Sequence, residues 1–213
     1  MSNNKPETLV YLVDDEFAVR DSLTLLIEST GQAVRGFAAA EDFLNNYDPE
    51  QPGCLLLDVR LPSMNGLDLQ SELLSREISI PIIFISGHAG VSDSAKAFRA
   101  GAVDFLEKPF DNEILLERIE EAIKKDIANR ELYVEHREIQ NRLDHLTVRE
   151  EEVLSLIVKG YSSKAVARML DISYHTVEAH RASIMEKMHT NSLAELILLV
   201  KHPGMLNSNL HRN

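Results

Sequence analysis

Five residues are of types that together could handle a phosphoryl group: Asp14, Asp15, Asp58, Ser86 and Lys108. Each stands at the end of a short apolar run. Asp14 and Asp15 follow Leu9 to Val13, Asp58 follows Cys54 to Leu57, Ser86 follows Ile82 to Ile85, and Lys108 comes soon after Asp104 to Leu106. Three carboxylates in one crevice repel one another, and a hard divalent cation relieves the repulsion. Mg2+ suits the task, because it takes a few carboxylate oxygens and keeps waters that a phosphoryl group can displace. One carboxylate could then attack phosphorus and become an acyl phosphate, while a lysine ammonium and a hydroxyl hold the phosphoryl oxygens. Taken singly, an Asp after a strand is more often a turn residue or helix cap, and a Lys before Pro an exposed loop residue. What separates the two readings is whether all five lie on one edge of one sheet.

The first half of the chain alternates short apolar runs with amphipathic stretches, the pattern of βα repeats around a parallel sheet. Strands are predicted at Leu9 to Val13, Gln32 to Gly36, Cys54 to Leu57, Ile82 to Ile85 and Asp104 to Leu106. Helices are predicted near Val19 to Ser29, Glu41 to Asn46, Leu67 to Arg76, Ser92 to Ala100, and after Phe110. An open parallel sheet binds its ligands beyond the carboxyl ends of its strands, and all five residues fall there. From Glu113 onward apolar Leu116, Ile119, Ile123, Ile127, Leu132, Ile139, Leu143 and Leu146 recur among charged residues with no Gly or Pro between them. Either the last helix of the first domain runs on through the linker or a second helix follows closely. The spacing drifts from a strict heptad, which favours a solvated connector over a dimerising coiled coil.

The segments Val13-Asp14-Asp15, Leu57-Asp58-Val59-Arg60-Leu61-Pro62-Ser63-Met64-Asn65-Gly66, Phe84-Ile85-Ser86-Gly87-His88 and Ala100-Gly101-Ala102-Val103-Asp104-Phe105-Leu106-Glu107-Lys108-Pro109-Phe110 closely resemble the receiver domains of two-component response regulators. The likeness spans residues 7–123. It implies a flavodoxin-like α/β domain with a five-stranded parallel sheet in the order 2-1-3-4-5. It also implies Asp58 as phosphoacceptor and Mg2+ held by Asp14, Asp15, Asp58 and the backbone carbonyl of Arg60. By the same likeness Ser86 and Lys108 contact the phosphoryl group, Phe105 has a rotamer that follows Ser86, and the Lys108–Pro109 bond is cis. Many receivers carry Thr where this chain has Ser86, which keeps the hydroxyl and loses a methyl. Phosphate would reach the rest of the molecule by a population shift, altering the face of Val91 to Arg99 and Asp104 to Leu106 so that it pairs with a second copy.

The second half reads as short helices. Thr147-Val148-Arg149-Glu150 is a capping box, Val153, Leu154, Ile157 and Val158 form a buried stripe, and Gly160 closes the helix. A second helix from about Ser163 to Leu170, a turn at Ile172-Ser173 and a third helix from about Tyr174 to Met188 make an all-α helix-turn-helix domain over residues 146–202, whose last member enters a major groove. Val177, Ile184 and Met188 anchor that helix. The other side offers His175, Glu178, Ala179, Ala182, Ser183 and Glu186, with His180, Arg181 and Lys187 toward the edges. Arg181, Lys187 and Lys164 are candidates for phosphates. Glu178 could accept from a cytosine amino group, and Ala179 or Ala182 could meet a thymine methyl. Leu146 to Leu154, Gly160 to Ala167 and Ile172 to Arg181 are similar to the LuxR-type helix-turn-helix, and together with Ser86-Gly87-His88 they look most like the FixJ subgroup. That resemblance adds Thr176 to the DNA-contact candidates. Many members have Lys where this chain has Glu178 and Asn where it has Ser183, so base contacts there differ.

Charge is divided to match. The net charge is −12, but residues 1–123 hold 22 acidic and 9 basic residues, while residues 124–145 and 146–202 are each balanced. The acidity of the first part therefore says nothing against DNA binding by the second. No apolar stretch is long enough to span a bilayer, so the expected protein is soluble and cytoplasmic, with no membrane partner. The single Cys54 lies in an apolar run without a cationic neighbour and reads as core. A polar tail from Pro203 is expected to be disordered. The resemblances imply a sensor histidine kinase as phosphodonor, double-stranded promoter DNA as ligand, RNA polymerase as a partner at the promoter, and a homodimer on phosphorylation. The chain is then a regulator and not an enzyme, with at most slow self-dephosphorylation. Two other readings stand beside it. A Mg2+-dependent phosphatase using an aspartyl phosphate needs a general acid two residues after the nucleophile, where Arg60 stands; a helical domain that binds protein would lack a steep salt dependence.

Overall fold

The structure is a computed structural model that describes residues 7–87 and 90–200. His88 of the Ser86-Gly87-His88 motif and the tail from Pro203 lie outside the described residues. The chain divides into two compact units, Met1–Arg130 and Glu131–Asn213.

The first unit runs β1 (Leu9–Val13), α1 (Phe17–Glu28), β2 (Ala33–Phe37), α2 (Ala40–Asn46), β3 (Gly53–Asp58), α3 (Gly66–Ser75), β4 (Ile82–Ser86), α4 (Val91–Arg99) and β5 (Asp104–Glu107), and then enters α5 (Asn112–Asp144). All strand pairs are parallel, in the order β2-β1-β3-β4-β5. Because strand side chains alternate between faces, each central strand divides its apolar residues between two cores. Tyr11, Val13, Leu55, Leu57 and Phe84 pack with Phe43, Leu69, Leu73 and Ala97 of α2, α3 and α4. Val10, Leu12, Cys54, Leu56, Ile83 and Ile85 pack with Leu23 and Ile27 of α1 and with Leu115, Ile119, Ala122 and Ile123 of α5.

Four of the five strands and the four helices between them depart from the expected bounds by a residue or two. β2 starts after Gln32, whose side-chain amide is turned to Thr8, just before β1: Nε2 donates to the Thr8 carbonyl at 2.6 Å and Oε1 accepts from the Thr8 hydroxyl at 3.0 Å. β3 starts at Gly53, where a Cβ would sit 1.8 Å from the Leu9 carbonyl oxygen, so only glycine lets β1 and β3 approach this closely. α1 begins two residues early, at Phe17, after a turn in which the Glu16 amide donates to Asp14 Oδ1 at 2.9 Å. α3 starts and ends one residue early, capped by the Asn65 side chain, which accepts from the Asp68 amide.

The segment after Glu113 is a single helix of 33 residues, the first of the two arrangements expected. Its first turns extend the core stripe of the first unit, and that stripe carries one carboxylate. Asp126 is 1% exposed, and its Oδ2 accepts the Gly53 amide at 2.9 Å and Arg130 Nε at 2.6 Å. Arg130 also donates to the Pro49 carbonyl. The base of β3 is thereby tied to α5.

The second unit comprises the end of α5 with α6 (Val148–Val158), α7 (Ser163–Met169), α8 (Tyr174–Lys187) and α9 (Leu193–Val200). Each of the middle three has a side-chain cap: Thr147 and Glu150 form the expected capping box of α6, Ser162 accepts from the Ala165 amide, and Ser173 accepts from the Thr176 amide. Gly160 ends α6 with φ +91°, and Asp171 makes the α7–α8 turn with φ +52°. Ile139, Leu146, Val153, Leu154, Ile157, Val166, Val177, Ile184, Met188 and Leu196 fill the core. Val158 of the expected buried stripe is only partly covered.

Candidate functional site

The carboxyl ends of β1, β3, β4 and β5 meet in one crevice, held together by a lysine. Lys108 Nζ donates to Asp14 Oδ2 at 2.7 Å and to Asp58 Oδ2 at 2.8 Å, joining residues 94 and 50 positions distant in the chain. Its backbone is fixed as well, since the Lys108 amide donates to the Ser86 carbonyl at 2.8 Å and the Lys108–Pro109 bond is cis. The other oxygen of each acid is held by main chain. Asp14 Oδ1 takes the Glu16 amide, and Asp58 Oδ1 takes the Arg60 amide at 2.8 Å. Asp14 is fully buried and Asp58 is 8% exposed. Ser86 is buried at the end of β4, and Phe105 is half-buried on β5 with its ring stacked on Phe84 at 5.9 Å.

Burial pushes the Asp14 carboxyl above its ordinary range, although the bonds from Lys108 and the Glu16 amide work the other way. For Lys108 burial opposes the charge, but the two carboxylates outweigh it and hold the ammonium above its ordinary value. The crevice thus sets two acids against the Lys108 ammonium. Asp15 adds a third acid, which is exposed at the rim and not drawn into the Lys108 bridge. Among the described residues no three His, Cys, Asp or Glu side chains close on a common metal position. The structure therefore brings Asp14, Asp58, Ser86 and Lys108 to one sheet edge and leaves Asp15 beside it. The donor set still fits a magnesium ion. Every side-chain donor is a hard carboxylate oxygen, their charge exceeds that of Lys108, and an ion that keeps its waters needs only a few such oxygens.

Two residues of the crevice carried no chemical role in the sequence reading. Arg20, one turn into α1, donates to the Asp14 carbonyl at 2.6 Å. Gly66, at the start of α3, lies so close to β3 that a Cβ would be 2.3 Å from the Asp58 carbonyl oxygen. The run Asp58 to Gly66, closed by the Gly66 amide on the Val59 carbonyl at 2.9 Å, marks the second in hindsight.

In the second unit α7 and α8 form a helix-turn-helix. The outer side of α8 exposes Tyr174, His175, Thr176, Ala179, Ala182 and Glu186, with Lys164 exposed on α7 and His180 half-buried. The Thr176 hydroxyl bonds the Ser173 hydroxyl at 2.9 Å. Four of the proposed DNA contacts are engaged inside the domain. Arg181 donates to the Ser163 hydroxyl at 2.5 Å and to Glu178 Oε1 at 3.2 Å, so Glu178 and Arg181 face each other. Ser183 donates to Glu150 Oε1 and Lys187 to Glu150 Oε2, each at 2.6 Å. Ser183, expected on the groove side, and Lys187, expected on the phosphate edge, are thus both bonded to a buried carboxylate on α6.

A phosphoryl-type crevice on a 2-1-3-4-5 parallel sheet, followed in the same chain by a capped helix-turn-helix, defines a receiver switch with a DNA-binding output. The comparisons agree at both ends. Residues 10–120 match the response regulator receiver domain, and residues 144–200 match the bacterial regulatory proteins of the luxR family. The chain is 42% identical over 194 residues to the response regulator protein TmoT of Ectopseudomonas mendocina, covering 91% of this chain and 88% of the relative. It is 42% identical over 195 residues to the transcriptional regulatory protein FixJ of Rhizobium meliloti (strain 1021), covering 92% and 96%. Among solved structures, the response regulator StyR aligns with TM-score 0.80 at 39% identity over 91% of this chain and 98% of that one. Full-length FixJ from B. japonicum aligns with TM-score 0.57 at 37% identity, over 95% and 100%. The chain belongs to the two-component response regulators that join a receiver domain to a LuxR-type helix-turn-helix, and it is a phosphorylation-dependent DNA-binding transcriptional regulator. No helix among the described residues is long and apolar enough to cross a membrane.

Proposed function

We propose that Asp58 is the residue phosphorylated, with a histidine kinase as donor. A carboxylate oxygen of Asp58 attacks the phosphorus of a phosphohistidine, the P–O bond forms as the P–N bond breaks, and the imidazole keeps the electron pair and takes a proton from solvent. The observation that carries the reading is the single ammonium of Lys108 shared between Asp14 and Asp58 at the carboxyl edge of the sheet. On phosphorylation Lys108 stays beside Asp58 and pairs with a phosphoryl oxygen, and the Ser86 hydroxyl bonds another. Asp14, Asp15, Asp58 and the backbone carbonyl of Arg60 would hold Mg2+, which supplies positive charge for the incoming phosphoryl group. The phosphatase reading finds no support, because a guanidinium at position 60 stays protonated and cannot serve as a general acid.

The response runs through Ser86 and Phe105. A Ser86 drawn toward phosphate opens room for the Phe105 ring, and the face of α4 and β5 then pairs with a second copy of the chain. The domain limits that fit this reading are 7–123 for the receiver, 124–145 for the helical linker and 146–202 for the DNA-binding domain, in a cytoplasmic protein. On DNA, Thr176, Ala179 and Ala182 offer the exposed face of α8 to base edges, and Lys164 with His180 lie where phosphates run.

The test compares wild type with Asp58→Asn for phosphoprotein formation, dimerisation and DNA affinity, with and without acetyl phosphate and Mg2+. Wild type is expected to gain all three and the variant none. Equal responses from the two proteins would refute the assignment of Asp58.

A further inference from the structure

Glu150 does more than close the capping box of α6. It is 4% exposed, and its two carboxylate oxygens accept from four donors on two helices. Oε2 takes the Thr147 amide at 2.8 Å, the Thr147 hydroxyl at 2.9 Å and Lys187 Nζ at 2.6 Å; Oε1 takes the Ser183 hydroxyl at 2.6 Å. Ser183 and Lys187 are four residues apart on α8, so both reach the carboxylate from one stripe of that helix. Lys187 also donates to the His145 carbonyl at 3.3 Å, just before α6. Burial alone would push the Glu150 carboxyl upward, but the bonds from Lys187, Ser183 and Thr147 outweigh it and hold it down to about 2. The acid is therefore a fixed anion at working pH, and the stripe of α8 that faces it is fixed against rotation. Val177 and Ile184 pin the same helix only by apolar contact, which is not directional.

We propose that Glu150 is a positioning residue for DNA recognition: with Ser183 and Lys187 it sets the rotation of α8 about its axis, and so decides which side chains reach the groove. Lys187 is then an internal strut and not a phosphate contact. The inference rests on α8 being the recognition helix and goes beyond that reading by separating the lysines of the domain into two kinds, with Lys164 free to meet the backbone and Lys187 not.

The experiment uses the full chain, phosphorylated with acetyl phosphate. The probe is a fluorescein-labelled duplex that the wild-type protein itself selects from a randomised pool. Binding is measured across a salt series for wild type, Glu150→Gln, Lys187→Met, Lys187→Arg, Lys164→Met and the double variant Glu150→Gln/Lys187→Met, with circular dichroism melting of each to check folding. A positioning role predicts that Glu150→Gln and Lys187→Met each weaken binding about tenfold or more. It predicts no change in their log K against log salt slope, whereas Lys164→Met flattens the slope by about 0.9, the value for one phosphate contact. The double variant should bind no worse than the poorer single variant, because both break one bridge, and Lys187→Arg should keep most of the affinity. If Lys187→Met flattens the slope as Lys164→Met does, or the two losses multiply, Lys187 touches phosphate and the proposal fails. Should Glu150→Gln melt below the assay temperature, Ser183→Ala with Lys187→Met decides by the same slope. A wild type that selects no duplex removes the recognition-helix reading, and the proposal goes with it.

Discussion

Replacing Asp126 by alanine should unsettle the receiver at the end opposite its phosphorylation site. In the structure Asp126 is buried on α5, accepts the amide of Gly53 at 2.9 Å and pairs with Arg130 at 2.6 Å. Alanine leaves the Gly53 amide without an acceptor at a position where solvent does not reach, a loss of about 1–3 kcal/mol. Arg130 is about a quarter exposed and can rehydrate, so its orphaned charge adds only about 0–1 kcal/mol. The expected total for Asp126→Ala is about 1–4 kcal/mol. Asp126→Asn keeps an acceptor for Gly53 and gives up the charge, and should cost about 1 kcal/mol. The chain has no tryptophan, so urea unfolding is followed by far-ultraviolet circular dichroism. With a urea slope of about 2 kcal/mol per molar, the alanine variant should shift the receiver transition down by about 0.5–2 M. Hydrogen exchange adds a local reading: the Gly53 amide, slow in wild type, should exchange faster by about the factor that the lost stability implies. An unshifted transition together with an unchanged Gly53 exchange rate would show that the Asp126 bond carries no load.

Three further outcomes follow from the same structure. Gly66→Ala forces a Cβ to within 2.3 Å of the Asp58 carbonyl; it should cost about 1–3 kcal/mol and slow phosphorylation by acetyl phosphate, and a wild-type phosphorylation rate would count against the role of this contact. Asp14→Asn should raise the melting temperature at pH 7 while abolishing phosphorylation. The sign follows from burial: a carboxyl whose folded pKa lies above the unfolded value of 3.8 loses stability as pH rises through that window, and an amide mimics the protonated state. A lower melting temperature would contradict it. Glu150 has the opposite sign, since a carboxyl held down to about 2 stabilises the second unit above pH 4.5 and loses that contribution, at most about 3 kcal/mol, as pH falls toward 2. Acid titration of Glu150→Gln should show a shallower stability loss between those pH values than wild type.

The receiver fold was legible because its three central strands, β1, β3 and β4, are buried and read as unbroken apolar runs, with a chemically distinctive residue at the end of each. Cys54 to Leu57 and Ile82 to Ile85 admitted one reading, and the order and spacing of the acids then placed the crevice. Boundaries slipped by a residue or two, as at Gln32, whose side chain bonds Thr8 just outside β2. The helix-turn-helix was legible from local signals, the Thr147 to Glu150 capping box among them. The long-range bridges were not. Glu150 meets Ser183 and Lys187 from 33 and 37 residues away, and no periodicity on α8 says which polar side turns inward. Asp126 left a trace that was missed: it stands three residues after Ile123, inside the apolar stripe of α5, and a carboxylate there must find a donor. Asp15 shows the reverse case, an acid whose neighbour in sequence is buried while it stays exposed, because strand residues alternate sides as the strand ends.

Cys54 gives the molecule an internal clock. It is the only thiol in the chain, fully buried on β3 four residues before Asp58, and burial pushes its pKa far above the usual range. A thiol reagent cannot reach it in the closed receiver, so the labelling rate counts how often β3 is laid bare. No engineered probe is needed to ask whether phosphorylating the neighbouring aspartate tightens or loosens the strand that bears it; the native sulfur already keeps the time.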